Sequence, residues 1–177
     1  MGNDNVNFRE HAKILSIPLF NGFKKVEPDN EQTVFLTNNN HGVMYQVTSD
    51  GKMNEKEKIN VRIKFVIERT LRYMKEQGFE AGDDTFFYYQ DFDSDDFGFK
   101  IYIQDIIMPN NKKVIRSFNA FFIEPQYKDF YQVVMSVGPF DYPTETLKVG
   151  EMDLDEDPIT KNVMVLFEEL LKNIKYK

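Results

Sequence analysis

The chain contains no cysteine and no tryptophan, and only two of its 177 residues are histidines, His11 and His41. The absence of cysteine excludes thiol catalysis, disulfides and thiolate metal sites. The two histidines lack the H-x-x-x-H spacing of a zinc motif, and no nucleophile motif lies near His41. The glycine-rich patterns that bind phosphates are also missing. We therefore expect a protein that is not an enzyme and that holds no metal or cofactor.

Basic residues are scarce relative to acidic ones. The chain has 22 Lys and Arg against 29 Asp and Glu, which gives a formal net charge of −7 at pH 7. A negative field repels phosphate backbones and anionic lipids, so nucleic acids and membranes are not expected as partners. The chain has no run of about 18 uncharged apolar residues, as a membrane-spanning helix would need. We expect a cytoplasmic protein, although a signal peptide removed before residue 1 would leave the same sequence.

The length and composition are typical of one globular domain, residues 1–177, with 41% hydrophobic and 29% charged residues. Residues 1–11 are polar, and we expect them to be frayed. The apolar segment 13–18 predicts a short edge strand that ends at a proline, and residues 23–26 predict another strand. Two segments rich in β-branched and aromatic residues, separated by an Asn-rich turn, predict a hairpin of residues 33–36 and 43–48.

Helical periodicity predicts two helices. Residues 55–77 carry an apolar stripe with the spacing of one helical face, and Gly78 suits the left-handed position after the helix end. The first half is ambiguous, because residues 59–67 also alternate with the period of a strand, but the length favours a helix. The second helix is predicted over residues 159–175, and it starts from the capping pair Asp157-Pro158.

Residues 85–138 alternate with a period of two and are joined by short links, which predicts an antiparallel meander. With the two helices, this indicates an α+β fold in which a central antiparallel sheet is flanked by a long middle helix and a C-terminal helix, in α/β/α layers. Aromatic residues make up 15% of the chain. They are too many for one face of the sheet, so we expect some to be exposed at a contact surface or covered by loops on the second face.

Two acidic segments are the candidate binding features. The segment from Asp91 to Asp96 begins like a calcium-binding loop, but it lacks the glycine required where Asp96 stands and the glutamate required where Tyr102 stands. The second segment runs from Asp153 to Asp157. Both segments are also compatible with solvated loops, and the acidic residues of the second are explained in part by the start of the last helix. As docking sites they would suit a basic partner. The predicted partner-binding residues are Asp91, Asp93, Asp95, Asp96, Asp153, Asp155, Tyr88 and Tyr102.

The order of elements resembles the PsbP-like superfamily, which also includes the yeast Ran-binding import factor and many small bacterial lipoproteins. The opening Leu15-Ser-Ile-Pro18 and Gly22-Phe23-Lys-Lys-Val26 is similar to the I-P-x-G-W/F-K start of these domains. A hairpin, a helix ending in Gly78-Phe79, a meander and the closing helix Leu166-Phe-Glu-Glu-Leu-Leu-Lys-Asn-Ile174 follow. The resemblance implies an α/β/α domain that binds proteins and has no common catalytic residues. This chain departs from the lipoproteins because it has no lipoprotein signal and no Cys.

We therefore expect a non-enzymatic protein-binding domain of a bacterial type, acting as an accessory protein or as an immunity protein that neutralises a basic toxin. One alternative is an acidic chaperone for a secreted protein. The other is a small-molecule-binding domain with a pocket between sheet and helix. We expect a monomer or a homodimer with a protein partner.

Overall fold

The computed structural model describes residues 5–7, 15–20, 23–26, 33–38, 43–81, 86–108, 113–141, 156 and 158–176. These residues form ten strands and two helices in the order β1 (Asn5–Asn7), β2 (Leu15–Pro18), β3 (Lys24–Val26), β4 (Thr33–Asn38), β5 (Val43–Lys52), α1 (Ile59–Glu76), β6 (Phe86–Asp93), β7 (Gly98–Ile107), β8 (Lys113–Ile123), β9 (Asp129–Asp141), α2 (Pro158–Lys172) and β10 (Lys175–Tyr176).

Seven strands form one sheet in the order β3-β4-β5-β9-β8-β7-β6. Every pairing in it is antiparallel, which confirms the predicted meander from β6 to β9 and the predicted hairpin of β4 and β5. Strand β9, the last strand of the meander, pairs with both β5 and β8 and so joins the meander to the first hairpin. The sheet is therefore continuous from the first hairpin to β6 at its far edge.

A second, three-stranded sheet has the order β1-β2-β10. The segment predicted as an edge strand is therefore the central strand of this sheet, and that prediction was wrong in position. Residues 5–7, expected to fray, pair with β2, while the rest of residues 1–11 lie outside the described residues. The second helix was predicted to reach residue 175, but it ends at Lys172, and Lys175 pairs with Ser16 of β2 instead.

The ambiguous segment 59–67 is helical, so the helix interpretation is confirmed and the strand alternative was wrong. Helix α1 begins four residues after its predicted start, because the Asn54 side chain accepts a hydrogen bond from the Lys56 N–H and holds a turn there. At the other end, Gly78 has φ of 85°, and Phe79 N–H donates to the Met74 carbonyl at 3.0 Å. This is the predicted left-handed cap in a Schellman arrangement.

The helices lie on opposite faces of the large sheet, which confirms the layered α+β fold. In β8, Phe118 and Phe122 pack with Phe167 of α2, whereas Phe121 packs with Ile63 and Val66 of α1. This follows from strand alternation, since neighbouring residues point to opposite faces. Within the described ranges, neither helix is long and apolar enough to cross a membrane.

One ion pair is buried between the sheet and α2. The Arg116 guanidinium donates two hydrogen bonds of 2.8 Å to the Asp105 carboxylate, and both side chains are fully buried. A third bond, of 3.2 Å, runs from Arg116 to the Thr160 hydroxyl in the first turn of α2. The pair therefore links β7, β8 and α2.

Candidate functional site

The β6–β7 hairpin brings three of the predicted binding residues together. Tyr88 stands opposite Tyr102, and Asp91 stands opposite Lys100. In a regular strand residues 88 and 91 would point to opposite faces, but a register shift between Tyr88 and Gln90 adds one residue to β6. Tyr88 and Asp91 therefore share the face of the sheet that α1 covers.

Tyr88 is held in place although it is 52% exposed. Its ring lies edge-on to the Tyr102 ring with 5.2 Å between centroids, and the Lys100 ammonium lies 5.9 Å from its centroid. Its hydroxyl interacts with the Asp91 carboxylate, which accepts a 3.2 Å bond from Lys100. We call Tyr88, Asp91, Lys100 and Tyr102 the hairpin network.

The hydrogen bonds of the hairpin network shift two pKa values in opposite directions. The Tyr88 hydroxyl and then the Lys100 ammonium stabilise the Asp91 carboxylate, so the pKa of Asp91 is lowered. The same bond to Asp91 holds the proton on the Tyr88 hydroxyl, so the pKa of Tyr88 is raised. At neutral pH the network therefore contains an ionised carboxylate and a neutral phenol.

The other acidic residues form the hairpin tip, where Ser94 closes the turn by accepting a 3.1 Å bond from Phe97 N–H. Asp95 lies 3.7 Å from the Lys175 ammonium, and Asp96 accepts a 3.1 Å bond from the Tyr176 backbone N–H. Strand β10 thus partly neutralises the tip. Asp91 and Asp93 are exposed. The other two predicted residues, Asp153 and Asp155, lie outside the described residues.

The outer side of α1 carries a second surface that sequence reasoning missed. Val61, Phe65 and Tyr73 are 59%, 56% and 58% exposed, and the Arg69 guanidinium lies 5.6 Å from the Phe65 ring centroid. The helix has five basic and two acidic residues, in contrast to the net charge of the chain. The spacing of four residues is visible in the sequence, but the stronger apolar stripe of the inner face obscures it. We call Val61, Phe65 and Arg69 the outer α1 face, and Tyr73 lies where this face meets the side of α1 that faces the sheet.

Two buried carboxylates have structural roles. Asp105 is held by the Arg116 guanidinium. Glu124, which is fully buried, closes the β8–β9 turn by accepting a 2.6 Å bond from Tyr127 N–H and a 2.7 Å bond from the Tyr176 hydroxyl. In the ranges that the structure describes, no three acidic or histidine side chains converge as metal ligands would.

No known protein-family profile matches the chain, and no curated protein sequence matches it. Among solved structures, the Ran-binding protein Mog1p of Saccharomyces cerevisiae is similar, with a TM-score of 0.58 and 13% identity over 98% of this chain and 95% of that one. A point mutant of the protein Mog1 has a TM-score of 0.57 with the same identity and coverage. At this identity the likeness shows the fold alone, and it confirms the fold that the PsbP-like resemblance implied.

Proposed function

We propose that this chain is a non-enzymatic protein-binding domain that docks its partner on the β6–β7 hairpin. The observation that carries the proposal is Tyr88, which is half exposed and yet fixed by Tyr102, Asp91 and Lys100. Exposed tyrosines are enriched among the residues that dominate binding energy. A tyrosine that is already ordered loses little side-chain entropy when a partner covers it.

The proposed partner is a basic protein. Asp91 is exposed beside Tyr88, Asp93 is exposed farther along the same strand, and the chain has a net charge of −7. Cations of the partner can replace Lys100 and Lys175 as the counterions of Asp91 and Asp95. Such complementarity mainly accelerates association. Two specific roles would fit such docking, namely neutralising a basic toxin as an immunity protein and acting as a chaperone for a secreted protein, because in each the chain forms a complex with a second protein.

Two further points support the proposal. Mog1p, which is similar in structure, is a Ran-binding protein, so at least one protein with this fold binds another protein. Two of the three buried carboxylates among the described residues, Asp105 and Glu124, are engaged in structural hydrogen bonds, and this supports a role other than acid–base catalysis for these two.

The test is affinity capture with the full chain, identification of the captured protein, and rate measurements with that protein in purified form. Tyr88→Ala should weaken binding by about 30-fold, mainly through faster dissociation, as expected for a hot-spot aromatic. Asp93→Asn should slow association several-fold at about 0.05 M salt and have less effect at about 0.5 M, because salt screens exposed charges.

Tyr127→Ala is the matched control, because Tyr127 is also an exposed tyrosine, 48% accessible, but lies in the β8–β9 turn. It should leave both rate constants unchanged. If Phe65→Ala weakened binding and Tyr88→Ala did not, the partner would dock on the outer α1 face, and the hairpin proposal would be wrong.

A further inference from the structure

A cavity of about 400 Å³ lies between the C-terminal half of α1 and the large sheet. Its floor comes from β5, β9, β8 and β7, and its roof includes Thr70, Met74 and Gln77 of α1. Pockets that bind small molecules measure about 300–1,000 Å³. Met44 and Tyr73 line the cavity and are 42% and 58% exposed, so it opens to solvent beside them.

The floor of this cavity is polar but uncharged. None of the described residues that line it is charged. The same face of the sheet carries Phe121 and Phe130 under the first half of α1, and the opposite face carries Phe118 and Phe122, so the polarity is local to the cavity. Buried polar groups stabilise a fold only when they are hydrogen-bonded. The six polar floor residues are Gln46, Gln104, Ser117, Asn119, Gln132 and Ser136.

Most of these floor side chains bond to one another. The hydroxyls of Ser117 and Ser136 are 3.2 Å apart, and the Gln132 amide donates to Asn119 Oδ1 at 3.1 Å. Gln104 differs, because it is 2% exposed and its Nε2 has no hydrogen-bond partner among the described residues. A buried donor without a partner lowers the stability of the fold, and a ligand that brings an acceptor would satisfy it.

We propose that this cavity binds an uncharged, planar small molecule with a hydrogen-bond donor and acceptor side by side, the class to which nucleobases and carboxamides belong. The Gln104 amide presents the complementary pair, an N–H donor beside a carbonyl acceptor, and such amides bond bidentately to base edges. Ile106, Ile115 and Val134 provide apolar contacts for the faces of a ring. A charged ligand would lose its hydration without gaining a counterion here.

The test is a titration of the ¹⁵N-labelled full chain, followed through its side-chain amide resonances. The probes are two pairs in which a neutral molecule is matched with a carboxylate of similar shape, nicotinamide with nicotinate and uracil with orotate. At least one neutral probe should shift the Gln104 and Asn119 amide signals saturably, and its charged counterpart should bind at least about tenfold more weakly, because desolvation penalises the charge.

Gln104→Leu identifies the Gln104 signal and tests its role. It should weaken binding of the neutral probe at least about tenfold, while the melting temperature stays unchanged or rises, because an unpaired buried donor has been removed. Gln126→Leu makes the same exchange at an exposed turn position and should change neither quantity. Val134→Phe places a ring in the cavity without removing a side-chain hydrogen bond, and it should also abolish binding.

Three results would overturn the proposal. If neither neutral probe shifted these signals at about 10 mM, a concentration that detects binding near −3 kcal/mol, the cavity would hold solvent only. Unchanged binding in both Gln104→Leu and Val134→Phe would place the probe elsewhere. A lower melting temperature in Gln104→Leu, with probe binding retained, would make Gln104 a structural residue.

Discussion

Replacing Asp105 with Asn should destabilise this protein strongly, although the two side chains have nearly the same size. The Asp105 carboxylate neutralises Arg116 through two hydrogen bonds of 2.8 Å, and neither side chain reaches solvent. Asparagine preserves one acceptor but removes the negative charge. The buried guanidinium then loses the charge of the carboxylate that binds it through both hydrogen bonds, and the Thr160 hydroxyl that it also contacts is neutral.

The expected size of the effect follows from this burial. Removing one partner of a fully buried ion pair lowers the free energy of unfolding by about 3–5 kcal/mol. With a urea m-value of about 2 kcal/mol/M, the unfolding midpoint should fall by about 1.5–2.5 M. Replacing both partners, Asp105→Leu with Arg116→Met, removes both buried charges and should be less destabilising than Asp105→Asn alone, because the guanidinium no longer has to be buried without the Asp105 carboxylate.

The assay is urea unfolding followed by circular dichroism and by tyrosine fluorescence, since the chain contains no tryptophan. Thr160→Val serves as a control for the third hydrogen bond and should lower the unfolding free energy by about 1 kcal/mol. A midpoint shift below about 0.5 M for Asp105→Asn would show that the ion pair is not desolvated in solution. A double variant less stable than Asp105→Asn would refute the argument that burying Arg116 without the Asp105 carboxylate is the main cost.

Three further predictions concern stability. Leu170→Ala should lower the unfolding free energy by about 2–5 kcal/mol in urea, because Leu170 is fully buried on the inner side of α2. Val165→Ala, at a position of the same helix that is 71% exposed, should change it by less than about 0.5 kcal/mol, and equal effects would contradict the packing of α2. Burial raises the pKa of Tyr45 from 10.0 to about 12, so the unfolding free energy should fall as the pH rises through that interval. Tyr45→Phe should make the urea midpoint less dependent on pH there, and an unchanged slope would refute this. Gly78→Ala should lower the unfolding free energy by about 1–2 kcal/mol, measured by thermal melting, because φ is 85° at this position. A Cβ there would meet no atom within 4 Å, so backbone strain would be the cause, and an unchanged stability would contradict the left-handed cap.

The helices and the meander were predictable because their periodicity is long and strong. Even the ambiguous segment 59–67 was assigned correctly by length, since the stripe continues to Met74. The small sheet was missed because it depends on pairing between distant segments. Strands β1 and β10 have three and two residues, too few to show a period, and they are strands only because β2 lies between them.

The candidate site was predictable only in part, for a related reason. An excess of aromatic residues predicted that some would be exposed, and Tyr88 is one of them. The network around it depends on the extra residue in β6 after Tyr88, which has no signature in the sequence. The cavity could not be predicted from the sequence. Asn119 and Gln132 alternate with apolar neighbours in the same way as solvent-facing strand residues do. Only the position of α1 over the sheet shows that they form the floor of a cavity.

The two faces of the large sheet therefore have different physical roles. The face under α2 is largely apolar, apart from the Arg116–Asp105 ion pair and a 3.0 Å hydrogen bond from Gln90 to Glu168, so substitutions of its apolar residues should change stability without changing either proposed binding site. The face under α1 carries both the hairpin network and the cavity floor, and Tyr102 connects the two, since its ring contacts Tyr88 and its carbonyl accepts a 3.5 Å bond from the floor residue Asn119. A fold can retain a buried donor such as Gln104 Nε2, which has no partner among the described residues, only if apolar burial elsewhere stabilises the fold enough. Substitutions of apolar residues on the α2 face should consequently change stability alone, and a variant of that face that stays folded but loses both binding activities would contradict both proposals.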